Sequence, residues 1–130
     1  MSVHPNVALL RDGYAAFAKA DLAAFDELWD DGIRWHNSGS SQVSGTFEGR
    51  QAIFEMFGRL FELTDGTLHL ELLSAQADDD WGFAAVTITA RRGDRTLETM
   101  DLHALRLEQG KVVEFWQTST QPQAADAFYG

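Results

Sequence analysis

The chain has no cysteine, which excludes a disulfide scaffold, a cysteine nucleophile and every thiolate metal site. Basic residues are scarce as well: ten Lys and Arg stand against twenty Asp and Glu, for a formal charge of -10. With a sequence pI near 4.6, such a surface repels phosphate backbones and anionic membranes, so nucleic acid is not expected as a partner. No apolar run approaches the roughly 20 residues of a membrane span. The segment Met1-Ser2-Val3-His4-Pro5 lacks the basic-then-apolar order of a signal peptide, so a cytoplasmic protein without a membrane partner is expected. Only two prolines occur, and no linker, repeat or low-complexity tract divides the sequence.

What is present is a core. The 130 residues are 45% apolar and include nine Phe, four Trp and two Tyr, enough for one globular domain spanning residues 1–130. Val7, Leu10, Tyr14 and Phe17, then Phe25, Leu28 and Trp29, fall at helical spacing. Asp21 is a natural N-cap between them, which predicts two helices, about 7–20 and 22–30, the second stopped by Gly32. A short strand at Ile33-Arg34-Trp35-His36 and an aperiodic polar loop from Asn37 to Gly45 follow. Ile53, Phe57, Leu60 and Phe61 write a third helix that closes near Asp65-Gly66. The remainder alternates like strands, at 67–77, 81–91, 96–107 and 112–118, with turns at Asp78-Asp79-Asp80, Arg92-Gly93-Asp94 and Glu108-Gln109-Gly110. A last helical turn is expected within Pro122 to Tyr129. Three helices followed by a meander predict an α+β domain, the helices packed on the concave face of a curved, mainly antiparallel sheet.

Strand parity locates the chemistry. Leu97, Thr99, Asp101, His103, Leu105 and Leu107 share one face of the third long strand, and the leucines mark it as the helix-covered side. A carboxylate beside an imidazole fixes the ring and favours its charged form, so Asp101 and His103 read as an acid/base couple, or as a structural pair in which Asp101 satisfies His103. On the last strand Val112, Glu114 and Trp116 share the opposite parity to Phe115 and Gln117. Large apolar groups on an outer face predict a homodimer through that face, the alternative being that the C-terminal tail covers Trp116.

Four strings, Tyr14-Ala15-Ala16-Phe17-Ala18-Lys19-Ala20-Asp21-Leu22, Asp30-Asp31-Gly32-Ile33-Arg34-Trp35-His36, Ser44-Gly45-Thr46-Phe47-Glu48-Gly49-Arg50-Gln51-Ala52-Ile53 and Gly110-Lys111-Val112-Val113-Glu114-Phe115-Trp116, resemble the SnoaL-like polyketide cyclase and ketosteroid-isomerase-like families of the nuclear-transport-factor-2-like superfamily. The resemblance covers nearly the whole chain and implies a cone of helices on a curved sheet, an apolar pocket inside it and a dimer through the outer face. It does not select an activity, because enzymes and binding proteins share the scaffold. Carried across on Asp21, the isomerase tyrosine falls on Gly13, with Tyr14 turned by about 100°, so that donor is expected to be missing; the ketosteroid isomerase is itself a standard example of such an oxyanion hole. The proton-moving position falls on Asn37, or on His36 with a slip of one residue, and the protonated-acid position on His103.

The resemblance to SnoaL-type cyclases implies cofactor-free catalysis by His103, oriented by Asp101 and helped by Asn37 or Gln117 as oxyanion donors. Tyr14, Phe17, Trp35, Phe54, Phe57 and Phe115 are the expected walls of a pocket for a small hydrophobic, carbonyl-containing molecule. The alternative is a non-catalytic ligand-binding or dimerising domain. A metal centre built from His36, His103 and Asp101 is a third reading, but the four histidines, at 4, 36, 69 and 103, lack any local ligand spacing, and neither a metal nor a cofactor is expected. The acidic runs Asp30-Asp31 and Asp78-Asp79-Asp80 read as solvated punctuation, with calcium binding the minor alternative because their spacing matches no loop motif, and Ser38, Ser40, Ser41 and Ser44 read as turn chemistry.

Overall fold

A computed structural model describes residues 3–130; Met1 and Ser2, which begin the segment expected not to be a signal peptide, lie outside the described residues. The first amphipathic stretch forms helix α1 (Pro5–Lys19). Pro5 opens it where no amide partner is needed, and Nδ1 of His4 accepts from the Asn6 amide at 3.0 Å. Val7, Leu10 and Ala16 are buried, and Ala20 ends the helix in the left-handed conformation. The next segment differs from the helix expected to reach Asp30. It is a 3-10 turn (Leu22–Ala24) and a single helical turn α2 (Phe25–Leu28), after which strand β1 (Trp29–Asn37) begins at once. Continuing the helix would set Asp30 and Asp31 at its C-terminus, where the dipole disfavours anions. Instead Asp30 accepts from the Gly32 amide at 2.8 Å, and Arg50 donates to the Trp29 carbonyl at 3.0 Å while pairing with Asp26 and Asp31. Asp21 does precede the turn, but its side chain makes no capping bond.

The polar loop expected from Asn37 to Gly45 is trimmed at both ends, by β1, which reaches Asn37, and by an edge strand, β2 (Gly45–Glu48), antiparallel to β1. Helix α3 (Gly49–Leu63) follows and buries Ile53, Met56 and Phe57. The strands β3 (His69–Ala77), β4 (Trp81–Arg92), β5 (Arg95–Glu108) and β6 (Lys111–Ser119) form the anticipated meander, and Pro122–Tyr129 is a full helix, α4. The sheet order is β2-β1-β6-β5-β4-β3; only the β1–β6 pair is parallel. The α+β class, with N-terminal helices on one face of a mixed, mostly antiparallel sheet, is therefore as expected. Where α1 crosses β4 a side chain has no room: a Cβ on Gly82 would lie 2.9 Å from Leu10. Among the described residues, no helix is long and apolar enough to cross a membrane.

One expected face is overturned by a bulge. Leu107 pairs with Val112 and Arg106 with Glu114, so Val113 is an extra residue that has no partner. The bulge shifts the parity, and Val112 turns inward with Phe115, both 4% exposed. Val112 therefore belongs to the core and not, with Glu114 and Trp116, to the outer face. The main core gathers residues of α1, α2, α3, β1, β3, β5 and β6, and a smaller cluster joins Val86, Ile88, Ala90 and Leu97 to Phe128 of α4.

Candidate active site

Leu97, Thr99, Asp101, His103, Leu105 and Leu107 on β5 are all buried, while Glu98, Met100 and Leu102 between them are exposed. That alternation carries two polar ionisable groups into the space beneath the helices. There a cavity of about 140 Å³ lies between α1, α3, α4 and the sheet. Tyr14, Phe17, Trp35, Phe57 and Phe115 line it, as do Asn37, Asp101, His103 and Gln117.

Phe54 does not. It packs behind the wall, stacked on Trp29 with ring centroids 5.7 Å apart, because three residues before Phe57 on α3 its ring faces α2 and β1 instead of the space. His36 is also outside the cavity. On β1 it alternates with Trp35 and Asn37, so it points to the outer face of the sheet. There Nε2 of His36 meets Oε2 of Glu114 at 2.6 Å, Nδ1 meets the Thr46 hydroxyl at 2.8 Å, and the ring stacks on Trp116. This hydrogen bond, with the nearby Arg34 and Arg106, holds the Glu114 carboxyl below its ordinary range. The convergence of His36, His103 and Asp101 on a metal is thereby lost, and among the described residues no three His, Asp or Glu side chains group to hold an ion.

The partnership of Asp101 with His103 is replaced by another. Nδ1 of His103 shares a hydrogen bond of 2.6 Å with the Tyr14 hydroxyl, and the two rings stack at 11°. The phenol expected to be missing is thus present in the cavity: an offset of one residue on α1 still leaves Tyr14 on the cavity side, where its hydroxyl reaches His103. Asp101 takes a different donor, Gln117, whose Nε2 bonds Oδ2 at 2.9 Å across the β5–β6 pair. Among the described residues, Oδ1 of Asp101 is the one buried side-chain polar atom without a partner. Asn37 is held in the wall, its Oδ1 accepting from Trp35 Nε1 at 2.8 Å and its Nδ2 donating to the Val43 carbonyl at 2.8 Å.

Burial sets the protonation. It pushes the Asp101 carboxyl up to about 6, against the opposing bond from Gln117, and pulls the His103 imidazole down to about 3. His103 is therefore neutral at neutral pH. Burial also raises the Tyr14 phenol, and burial together with the Asp101 charge raises the Tyr129 phenol to about 12. Tyr129 lines the cavity from α4; the sequence points to it as part of a docking helical turn and not as a pocket residue. Thr99 and Ser119, whose hydroxyls meet at 2.9 Å, were missed too; their parity with Asp101 and Gln117 was the signal.

A helix-capped cup with its polar residues on β5 and β6 is the nuclear-transport-factor-2-like, or cystatin-like, arrangement, and the SnoaL-like domain profile matches residues 10–115. The chain belongs to the SnoaL-like domain family. It is similar to Bal32a, from a soil-derived mobile gene cassette, at 32% identity and a TM-score of 0.91 over 96% of each chain. A Xanthomonas campestris protein of unknown function with a cystatin-like fold matches at 26% identity and a TM-score of 0.88, over 96% of this chain and 98% of that one. A candidate SnoaL-like polyketide cyclase from Jannaschia sp. CCS1 shares the fold at 16% identity and a TM-score of 0.79, over 100% of this chain and 98% of the other.

Proposed function

We propose that this SnoaL-like domain binds a small hydrophobic carbonyl compound in the cavity and moves a proton on it without a cofactor, in the manner of a cyclase or isomerase. The carrying observation is the unpartnered Oδ1 of Asp101, a carboxylate oxygen in an apolar cavity. A buried group of this kind, poised near pH 6, has the proton affinity that general-base catalysis favours. The role passes from His103 to Asp101, since an imidazole with its proton affinity so far reduced by burial is a weak base.

In this reading Tyr14 donates its O–H to Nδ1 of His103, which assigns the ring proton to Nε2. A neutral Nε2–H is then a donor for the ligand's carbonyl oxygen. The bond from an α-carbon to hydrogen breaks, its proton goes to Oδ1 of Asp101, and the electron pair becomes the enolate that Nε2–H stabilises. Return of the proton from Oδ1 to a carbon of the enolate re-forms a carbon–hydrogen bond, restores the carboxylate and completes the cycle. Gln117 keeps Oδ2 occupied, so Oδ1 is the reacting oxygen.

Deuterium uptake from D2O into the α-positions of added ketones, followed by mass spectrometry, tests this. Exchange should rise with pH as Asp101 loses its proton around pH 6 and then level off. Asp101→Asn should lower it by about 10²- to 10⁴-fold. Undiminished exchange in Asp101→Asn would falsify the assignment, and binding without exchange in the wild type would leave a carrier domain.

The outer face supports a second copy of the chain as partner. Trp81, Phe83, Met100 and Leu102 are each more than a third exposed there, next to Trp116. Arg34 and Arg106 alternate with Glu48 and Glu114 on the same face. A surface that carries both signs is complementary to itself, as a two-fold interface requires.

A further inference from the structure

We propose that the cavity takes a neutral compound with a single ring and one carbonyl oxygen, and rejects both fused-ring and anionic ligands. The inference rests on the cavity's being a substrate site and narrows that site to a size and charge class.

Size comes first. A space of about 140 Å³ is close to the ~150 Å³ engineered apolar cavity that accepts benzene, and well under the ~300 Å³ at which pockets for larger ligands begin. The shortage has a visible cause. Trp35 lies flat on Phe115 with centroids 3.6 Å apart, Phe25 stacks on Trp29 at 4.2 Å, and Phe17 meets Phe57 edge-on at 5.0 Å. Each ring of the wall is braced by another, so the space does not widen by a single rotamer change.

The rim limits length. Exposed lining residues, Ser38, Gly39 and Pro122, mark the mouth on the β1–β2 loop and on α4. These two segments are clasped together. Asp126 accepts from the Ser40 amide at 3.0 Å and from its hydroxyl at 3.2 Å, and Gln42 Nε2 donates to the Tyr129 carbonyl at 2.8 Å. A second fused ring would have to displace this clasp.

Charge is decided by what the wall omits. Among the described residues lining the cavity there is no Lys or Arg, while two carboxylates, Asp101 and Asp126, are present. A ligand carboxylate or phosphate would enter an apolar site that offers like charge and no counter-ion, which is costly. The polar side chains suited to a ligand also cluster. His103 pairs in register with Gln117, and Asp101 is two residues along the same face, so one oxygen and its neighbouring carbon can be served while the rest of the ring meets hydrocarbon.

Calorimetric titration at pH 7.5 with cyclohexanone, 1-tetralone, anthrone and cyclohexanecarboxylate tests the proposal on the intact chain. Apolar burial alone would make the larger ketones bind tighter. Here cyclohexanone should bind, with 1-tetralone and cyclohexanecarboxylate at least tenfold weaker and anthrone not bound. Phe17→Ala, which removes a half-buried ring from the wall, should bring 1-tetralone to at least the wild-type affinity for cyclohexanone; the wild-type series stands alone if that variant does not fold. Equal or tighter binding of 1-tetralone or anthrone by the wild type overturns the size limit, equal binding of the carboxylate overturns the charge limit, and binding of none overturns both. Cyclohexanone bound without deuterium uptake leaves this proposal standing and removes only the proton-transfer role of Asp101.

Discussion

Asp101 and His103 stand two residues apart on one face of β5, and burial moves their proton affinities in opposite directions. Asp101 holds its proton more tightly in the native chain, at about 6, than the ~3.9 of an unfolded chain. Its contribution to stability is full below that lower value and is lost as pH rises through 6, roughly 3 kcal/mol in all. His103, pulled down to about 3, contributes stability present above the unfolded ~6.5 and lost as pH falls towards 3. Asp101→Asn should therefore stabilise the protein by about 1–3 kcal/mol at pH 7.5 and leave it nearly unchanged at pH 4, as urea unfolding would reveal. A variant no more stable at pH 7.5 would mean that the carboxylate is better solvated than its surroundings imply. His103→Gln keeps an acceptor for Tyr14 and should make the chain more resistant than wild type at pH 5, with little change at pH 7.5. The two residues were legible in the sequence because a strand's parity is strictly local. Their hydrogen-bond partners were less so: Tyr14 lies 89 positions from His103, and no spacing rule connects a helix to a strand across a cavity.

At the scale of elements, the long helices and the meander were written in periodicity, and the exceptions share a cause. Strand β2 has one half-buried residue, Phe47, among exposed ones, so an edge strand of this kind carries no alternation to read. The bulge at Val113 reverses a parity that the apolar pattern alone could not break, since Val112 and Val113 are equally apolar. The clasp between the β1–β2 loop and α4 likewise depends on backbone geometry. Gly39 sits at φ +93°, and a Cβ there would come within 2.3 Å of Asp126 Oδ1. Gly39→Ala should cost about 1–3 kcal/mol of stability through that strain and speed hydrogen exchange at the Ser40 amide, whose acceptor is displaced. Exchange at Ser40 as slow as in the wild type would show that the clasp does not depend on the close approach.

For the whole molecule, the negative balance of the composition marks no ligand: the cavity holds two of the chain's twenty acidic residues, and most others stand on turns and exposed helix faces. The outer sheet face is where assembly is to be tested. Sedimentation should give twice the 14.5 kDa chain mass, and Leu102→Arg, at a residue 44% exposed in the single chain, should return it to one chain with its fold intact. A monomeric wild type at micromolar concentration would refute the two-fold partner. The outer face was visible in Trp116 and Glu114, whereas the strand order was not, because which strand neighbours β6 is settled by packing and not by any local pattern.

That order also sets a timetable. The parallel pairing of β1 with β6 joins Trp29 to Val112, and α4 is held by Arg92 and Arg95, which donate to the carbonyls of Phe128, Tyr129 and Ala127. On a ribosome adding about 5–20 residues each second, β1 emerges with its later neighbour still unmade, and the aromatic lining waits several seconds for β6 and α4. Nonlocal pairing of this sort slows folding, and the nascent chain holds Trp29, Trp35 and Phe57 without their final cover throughout. The stretch most in need of chaperone protection is therefore the cavity wall itself, during synthesis of the last third of the chain.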